Sequence, residues 1–384
     1  MPGRVRGHCL ASRVVYLIKK IKKMIIITYN VNASVCYPLQ HNSARERLAR
    51  IPAAVRVNRE LASADVMLLQ ELVVGFDSFC NDMRHMFPYS TSQVSGCMIG
   101  DNIKFWTSGL CILSKHPIAY ETHHVFDNVG YGYERAMAKA VQYARIEFGG
   151  GCVHVFNTHL CAWTGQRART ARKKQVKQVI KFIKDLGIPS DEMVVLGGDL
   201  NIGHGEHVDW FNGELDLCPS PASEPLYSYD PTTNTTVCLD DPNEYKGFDL
   251  AMFVKRGQTR LCEPKLLDYF LTRHGLPPVN CNVRVVQLKA IHPFVAWVTS
   301  HARRRVDDLS DHYPVIMDIK VREGLPGARP RHVRQHQQHY HHHQHRVKTE
   351  EWWWWVVVWA LLTLVVWSVL VAVIVPKVRP RSGR

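Results

Sequence analysis

Met193-Val194-Val195-Leu196-Gly197-Gly198-Asp199-Leu200-Asn201 reads as a short buried strand that ends in polar residues. A continuous apolar run of this kind is covered on both faces, so it belongs inside a sheet flanked by further layers. The paired glycines let the backbone come close, and Asp199 and Asn201, two apart, are expected to face the same side. The same grammar recurs in Met24-Ile25-Ile26-Ile27-Thr28-Tyr29-Asn30, in Asp65-Val66-Met67-Leu68-Leu69-Gln70-Glu71 and in Cys152-Val153-His154-Val155-Phe156-Asn157-Thr158-His159. Each run is aliphatic or β-branched and ends in a residue that can bind a cation, accept a proton or donate to phosphate. Strands of one sheet would deliver these residues to one edge.

Further along, Ser310-Asp311-His312-Tyr313-Pro314 sets a carboxylate beside an imidazole ahead of the strand-like run Val315-Ile316-Met317-Asp318-Ile319. The proline stops local helix, and a pinned His there would titrate near neutrality. A single Asp after a strand is usually a cap or a turn residue. The ordered set Asn30, Glu71, His159, Asp199, Asn201, Asp268, Asp311 and His312 has no such structural explanation. Helical patterns fall between the strands at 45–62 and 167–186. The second is basic on one side and apolar at Val176, Val179, Ile180 and Ile183. A two-sheet sandwich covered by helices is the simplest packing for residues 24–321, which are long for one domain but compatible with a single layered core.

These segments resemble the endonuclease/exonuclease/phosphatase superfamily, the fold of DNase I, and within it the neutral and bacterial-type sphingomyelinases. Leu69-Gln70-Glu71 is similar to the family's metal-binding Glu, and Asn157-Thr158-His159-Leu160 to its Thr-His-Leu segment. Ile188-Pro189-Ser190-Asp191-Glu192 leading to Gly197-Gly198-Asp199-Leu200-Asn201 resembles its Gly-Asp-x-Asn motif in the sphingomyelinase form. Leu267-Asp268-Tyr269-Phe270-Leu271 resembles its Leu-Asp-Tyr strand, and Ser310-Asp311-His312 its terminal Ser-Asp-His. The resemblance implies a four-layer α-β-β-α sandwich and metal-assisted cleavage of a phosphodiester.

A diester anion needs a cation on its non-bridging oxygens, a base for water and help for the leaving oxygen. The resemblance gives the metal to Glu71 and Asn30, oxygen donors suited to Mg²⁺, with Mn²⁺ or Co²⁺ as alternatives. His312 is the candidate base, its ring held by Asp268. His159 would bind phosphate or assist the leaving group, Asp199 and Asn201 would orient phosphate and water, and Asp311 would brace the metal side. Phe248-Asp249-Leu250-Ala251-Met252-Phe253 also reads as a strand carrying an Asp, so Asp249 stands as the alternative to Asp268.

The chain has 384 residues and a formal charge of +14. Residues 1–23 are basic. Residues 322–351 are rich in Arg, Gln and His and read as a disordered tether. Within 352–375, Trp352 to Trp355 precede Val356 to Val375, an uncharged stretch that at ~1.5 Å per residue spans a ~30 Å hydrocarbon core. A basic tail, 376–384, follows. A transmembrane helix with an indole belt is expected there, and the basic surface then suits anionic lipids as well as nucleic acid. Lys173, Lys174 and Lys177 read as a solvated helix face. His292-Pro293-Phe294-Val295-Ala296-Trp297-Val298, with Arg303-Arg304-Arg305 after it, resembles the membrane-entering hairpin of the secreted bacterial sphingomyelinases. Ordinary strand packing would explain it equally well.

The N-terminus resembles no cleavable signal, and eleven cysteines without CxxC spacing give no disulfide framework. Both favour a single-pass protein with a C-terminal anchor and a cytosolic head. The sequons at Asn32 and Asn234 would matter only for a luminal one. The expected activity is Mg²⁺-dependent hydrolysis of sphingomyelin or a related phosphosphingolipid in a bilayer, with membrane lipids as partners and no nucleic acid or obligate protein partner. The alternative is a membrane-tethered nuclease of the same fold.

Overall fold

A computed structural model of the chain describes residues 21–34, 44–95, 98–99, 102–104, 106–127, 130, 132–163, 165–203, 208–211, 214–218, 227–230, 233–236, 265–273, 281–297 and 303–322. Most of the basic N-terminal segment, Asp249, the tether and the expected membrane span lie outside them. Among the described residues no helix is long and apolar enough to cross a membrane.

In chain order the strands are β1 (Ile21–Ala33), β2 (Val66–Leu72), β3 (Tyr89–Ser90), β4 (Met98–Ile99), β5 (Asn102–Ile103), β6 (Cys111–Ser114), β7 (Ile118–Val125) and β8 (Ala140–Phe148). They continue as β9 (Gly151–His159), β10 (Met193–Asp199), β11 (Leu215–Leu217), β12 (Asp268–Arg273), β13 (Asn282–Val285), β14 (Lys289–Trp297), β15 (Arg303–Asp308) and β16 (Val315–Arg322). The helices are α1 (Ala44–Val57), α2 (Arg59–Ala62), α3 (Phe76–Met83) and α4 (Gln166–Asp185).

Two six-stranded sheets result, ordered β13-β16-β1-β2-β6-β3 and β11-β12-β10-β9-β8-β7. Each is mixed, with β1 and β2 parallel in the first and β9 and β10 parallel in the second. Side chains alternate across β1 as a strand requires. Met24 and Ile26 join the core between the sheets with Leu68, Val155 and Val195, while Ile27, Tyr29 and Val31 join a second core with Leu48 and Ile51 of α1 and Phe79 of α3. Val176 and Val179 of α4 pack on the outer side of the second sheet's core. The layers are therefore helix, sheet, sheet, helix, as the strand and helix patterning requires.

Gly197 and Gly198 set how close those layers come. A Cβ on Gly197 would lie 2.6 Å from the Leu68 side chain of the opposing sheet and 2.7 Å from the Phe270 ring. One on Gly198, at φ +143°, would lie 2.0 Å from the Thr158 carbonyl oxygen. Only glycine fits at 198, and at 197 any side chain would have to push Leu68 and Phe270 aside.

The folded elements change one expectation and sharpen two. The helical pattern expected over 45–62 is two helices, because the Asn58 side chain accepts hydrogen bonds from the Glu60 and Leu61 amides and caps α2. The sequon residue Asn234 is fully buried and donates to the Ser310 carbonyl at 2.9 Å, so the folded chain offers no nitrogen there for a glycan. The apolar stretch at 292–298 contributes β14, paired with β15 so that Phe294 stands opposite Val306 and Trp297 opposite Arg303. Phe294 itself packs in the core under the Arg50 guanidinium, 4.4 Å from its ring centre. Lys173, Lys174 and Lys177 of α4 are exposed, as a solvated face should be.

Candidate active site

The polar strand ends converge at one edge of the two sheets. In the second sheet, Asp199 at the end of β10 stands opposite His159 of β9 and opposite Asp268 of β12, so three residues far apart in sequence form one in-register row. From the first sheet, Asn30 of β1 donates through Nδ2 to Asp199 Oδ2 and to Glu71 Oε1, each at 3.0 Å. His159 Nε2 lies 3.6 Å from Asp199 Oδ2 and 4.0 Å from Glu71 Oε1. The loop after β15 completes the group: His312 Nδ1 meets Asp268 Oδ2 at 2.7 Å, and His312 Nε2 lies 3.8 Å from Asp199 Oδ2. Asn30, His159, Asp199, Asp268 and His312 are all buried, and Glu71 is partly so.

Asn201 and Asp311 are tied into the site through local hydrogen bonds. Asn201 does not continue the strand beside Asp199. It takes φ +51°, donates its backbone N–H to Asp199 Oδ1 at 2.9 Å, and donates Nδ2 to the Leu160 carbonyl at 3.2 Å. Asn201 therefore braces Asp199 and the end of β9. Asp311 is half-buried and accepts from Ser310 Oγ at 3.2 Å, and it acts on Glu71 through its charge. Ser310 Oγ also donates to the Asn30 carbonyl at 2.6 Å, which ties the two sheets' contributions together.

Several supporting residues escape a strand-end reading. Lys139 and Glu134 form a buried ion pair at 2.7 Å, and Lys139 Nζ also donates to the Leu160 carbonyl at 2.7 Å. Glu134 accepts from Cys161 Sγ and the Ala162 amide, so the pair clamps the turn that follows His159. Buried Arg47 of α1 donates to the carbonyls of Val31 and Asn32, just after Asn30, and of Leu309, just before Ser310. Arg172 of α4 does the same for Cys161 and Trp163. Under the site, Gln70 Nε2 donates to Asn157 Oδ1 at 2.7 Å, and Asn157 Nδ2 donates to the carbonyls of Leu69 and Cys111. An internal polar bridge thus links the sheets where a purely apolar seam would let them slide.

The electrostatics follow from burial and crowding. Burial and then Asp268 push Asp199 up to about 7. Burial and the charge of Asp311 raise Glu71. Burial, Lys139 and His312 hold His159 well below the ordinary imidazole value, so it is neutral. Burial opposes charge on His312 too, yet Asp268, Asp199 and Asp311 together carry it well above that value. Carboxylates forced together in a buried edge, with an amide strung between two of them, fit a hard divalent cation.

Face-packed mixed sheets with a polar cluster at one edge define an α-β-β-α sandwich of the DNase I type. The chain belongs to the Endonuclease/Exonuclease/phosphatase family, whose model matches residues 27–312. It is 26% identical to a sphingomyelinase C of Listeria ivanovii over 280 residues, covering 67% of this chain and 77% of that one. The crystal structure of sphingomyelinase C from Streptomyces griseocarneus superposes with a TM-score of 0.62 at 26% identity, covering 77% of this chain and 99% of that one. A Staphylococcus aureus beta toxin variant with bound magnesium ions shares the fold at a TM-score of 0.62 and 24% identity, with the same coverage.

Proposed function

We propose that the chain is a phosphoric diester hydrolase of the sphingomyelinase type, cleaving sphingomyelin or a related phosphosphingolipid to ceramide and a phosphorylated headgroup. The observation that carries this reading is the meeting of Glu71, Asn30, His159 and Asp199 with the Asp268–His312 pair in one buried edge. The relatives named sphingomyelinase C support the choice of ester.

Glu71 and Asn30 would hold a divalent cation, with Mg²⁺ the first candidate. Such an ion, when bound, supplies positive charge to the non-bridging phosphate oxygens and offsets the carboxylates that hold His312 protonated. Asp199, Asp268 and His312 also bring ligand-type atoms within 4.8 Å of one another. His312 Nδ1 is already committed to Asp268 at 2.7 Å, which suits an oriented base better than a second ligand set. Asp268 keeps the proton on Nδ1, and Nε2, facing Asp199, takes a proton from the attacking water. Neutral His159 donates to a phosphate oxygen or to the leaving oxygen. Asp199, braced by Asn201, orients water and phosphate. The stretch at 356–375 anchors this head in a bilayer, with the head on the cytosolic side and membrane lipids around it.

The deciding experiment offers the full-length protein sphingomyelin in mixed micelles and, separately, single- and double-stranded DNA and RNA, with Mg²⁺ or EDTA. Metal-dependent release of phosphocholine with intact nucleic acid is expected. Nicked nucleic acid with intact lipid would overturn the lipid reading in favour of a nuclease.

A further inference from the structure

Eleven cysteines without regular spacing suggest no pairing, yet the fold brings Cys218 and Cys281 into hydrogen-bond contact and places Cys80, which is partly exposed, against Cys111. Cys80 Sγ on α3 and Cys111 Sγ on β6 lie 3.8 Å apart although 31 positions separate them in sequence. A disulfide needs its sulfurs at ~2.05 Å, so closing this gap takes a movement of under about 2 Å, within reach of side-chain rotation and a small shift of a helix turn. The two sites differ in a useful way. Cys80 is partly exposed and can meet a solute, whereas Cys111 is fully buried directly behind it.

We propose that Cys80 and Cys111 are a reversible oxidation site, which a peroxide converts into an intramolecular disulfide joining α3 to β6. The Cys80 thiolate attacks a peroxide oxygen, breaking the O–O bond to give a sulfenic acid and a hydroxide that becomes water. Cys111 sulfur then attacks the sulfenic sulfur and loses its proton as the sulfenic oxygen leaves as a second water. Two thiols and one hydrogen peroxide thus become one disulfide and two waters. The hydrogen bond from Cys111 holds the Cys80 thiol below its ordinary value, while burial raises Cys111, which agrees with Cys80 reacting first.

The location gives the link a consequence. Cys111 stands opposite Leu69 in the β2–β6 ladder, two positions before Glu71. Its carbonyl accepts from Asn157 at 3.0 Å, and the neighbouring Gly109 carbonyl accepts from the Leu72 amide at 2.8 Å. The staple therefore tightens the strand pair that carries Glu71.

The test treats the reduced full-length protein with stoichiometric hydrogen peroxide, blocks remaining thiols with N-ethylmaleimide and maps peptides without reduction. The expected result is a Cys80–Cys111 cross-linked peptide that dithiothreitol reverses, with a melting temperature a few degrees above that of the reduced protein. Cys80→Ser, at a partly exposed position, should fold, lose the cross-link and lose the peroxide-dependent rise. Quantitative labelling of both cysteines after peroxide, or a cross-link confined to Cys218 and Cys281, would overturn the proposal.

Discussion

His312 concentrates the chemistry of the site at a single ring. His312→Ala removes the base and should lower turnover by roughly 10²–10⁴-fold while leaving the circular dichroism spectrum unchanged. Retained metal-dependent hydrolysis would show that another group takes the proton. The carboxylate beside it makes a second prediction. A base must be neutral to act, and Asp268 does most to hold His312 above the ordinary imidazole value, so the position of the acid limb of the kcat/KM profile should depend on that carboxylate. Asp268→Asn removes that charge, so the limb should move to lower pH while the plateau rate drops by about 10²-fold or more. An unmoved limb in a pH profile of that variant would separate the titration from His312.

At the scale of elements, the glycines of β10 are the most exacting positions. Gly198→Ala would drive a methyl into the Thr158 carbonyl at a backbone angle that L residues avoid. It should cost about 3 kcal/mol or more in urea unfolding and displace Asp199. Gly187→Ala is the control, because φ is also positive there but nothing lies within 4 Å, and it should cost only about 1 kcal/mol. Equal losses would mean that backbone angle alone governs both sites. The same strand explains what could be read from the sequence. Asn30, Glu71, His159 and Asp199 each terminate an apolar run, so a local pattern marks both the strand and its polar end. Lys139, Glu134 and Arg47 carry no such mark. Apart from the Lys139–Glu134 pair itself, their partners are carbonyls, an amide and a thiol from other elements, and Arg47 on α1 looks like any solvated helix cation until the end of β1 and the turn after β15 meet it. The break at Asn58 was legible in principle, since Asn two residues before Glu60 inside a helical pattern is a capping signal. Strand alternation does not extend to Asn201, where φ turns positive.

For the molecule as a whole, the crowded carboxylates make stability depend on pH and metal. Asp199 has its ordinary value of 3.8 when unfolded and about 7 when folded, so folding takes up a proton between those limits. Its contribution is present in full below about 4 and is lost as pH rises through about 7. In EDTA the melting temperature of the wild-type protein, relative to Asp199→Asn, should fall between pH 5 and pH 8. Mg²⁺ should flatten that difference, and a slope of the opposite sign would contradict the buried, crowded state of Asp199. The in-register row of His159, Asp199 and Asp268 has a further effect, on how such a chain tolerates insertions and deletions. Residues can be gained or lost between these strands without moving the row, since its alignment is held by the ladders and not by the length of the connecting chain. A single residue gained or lost within β9, β10 or β12 would instead turn the side chains beyond it to the opposite face, so that change comes either without effect on the site or with its complete loss.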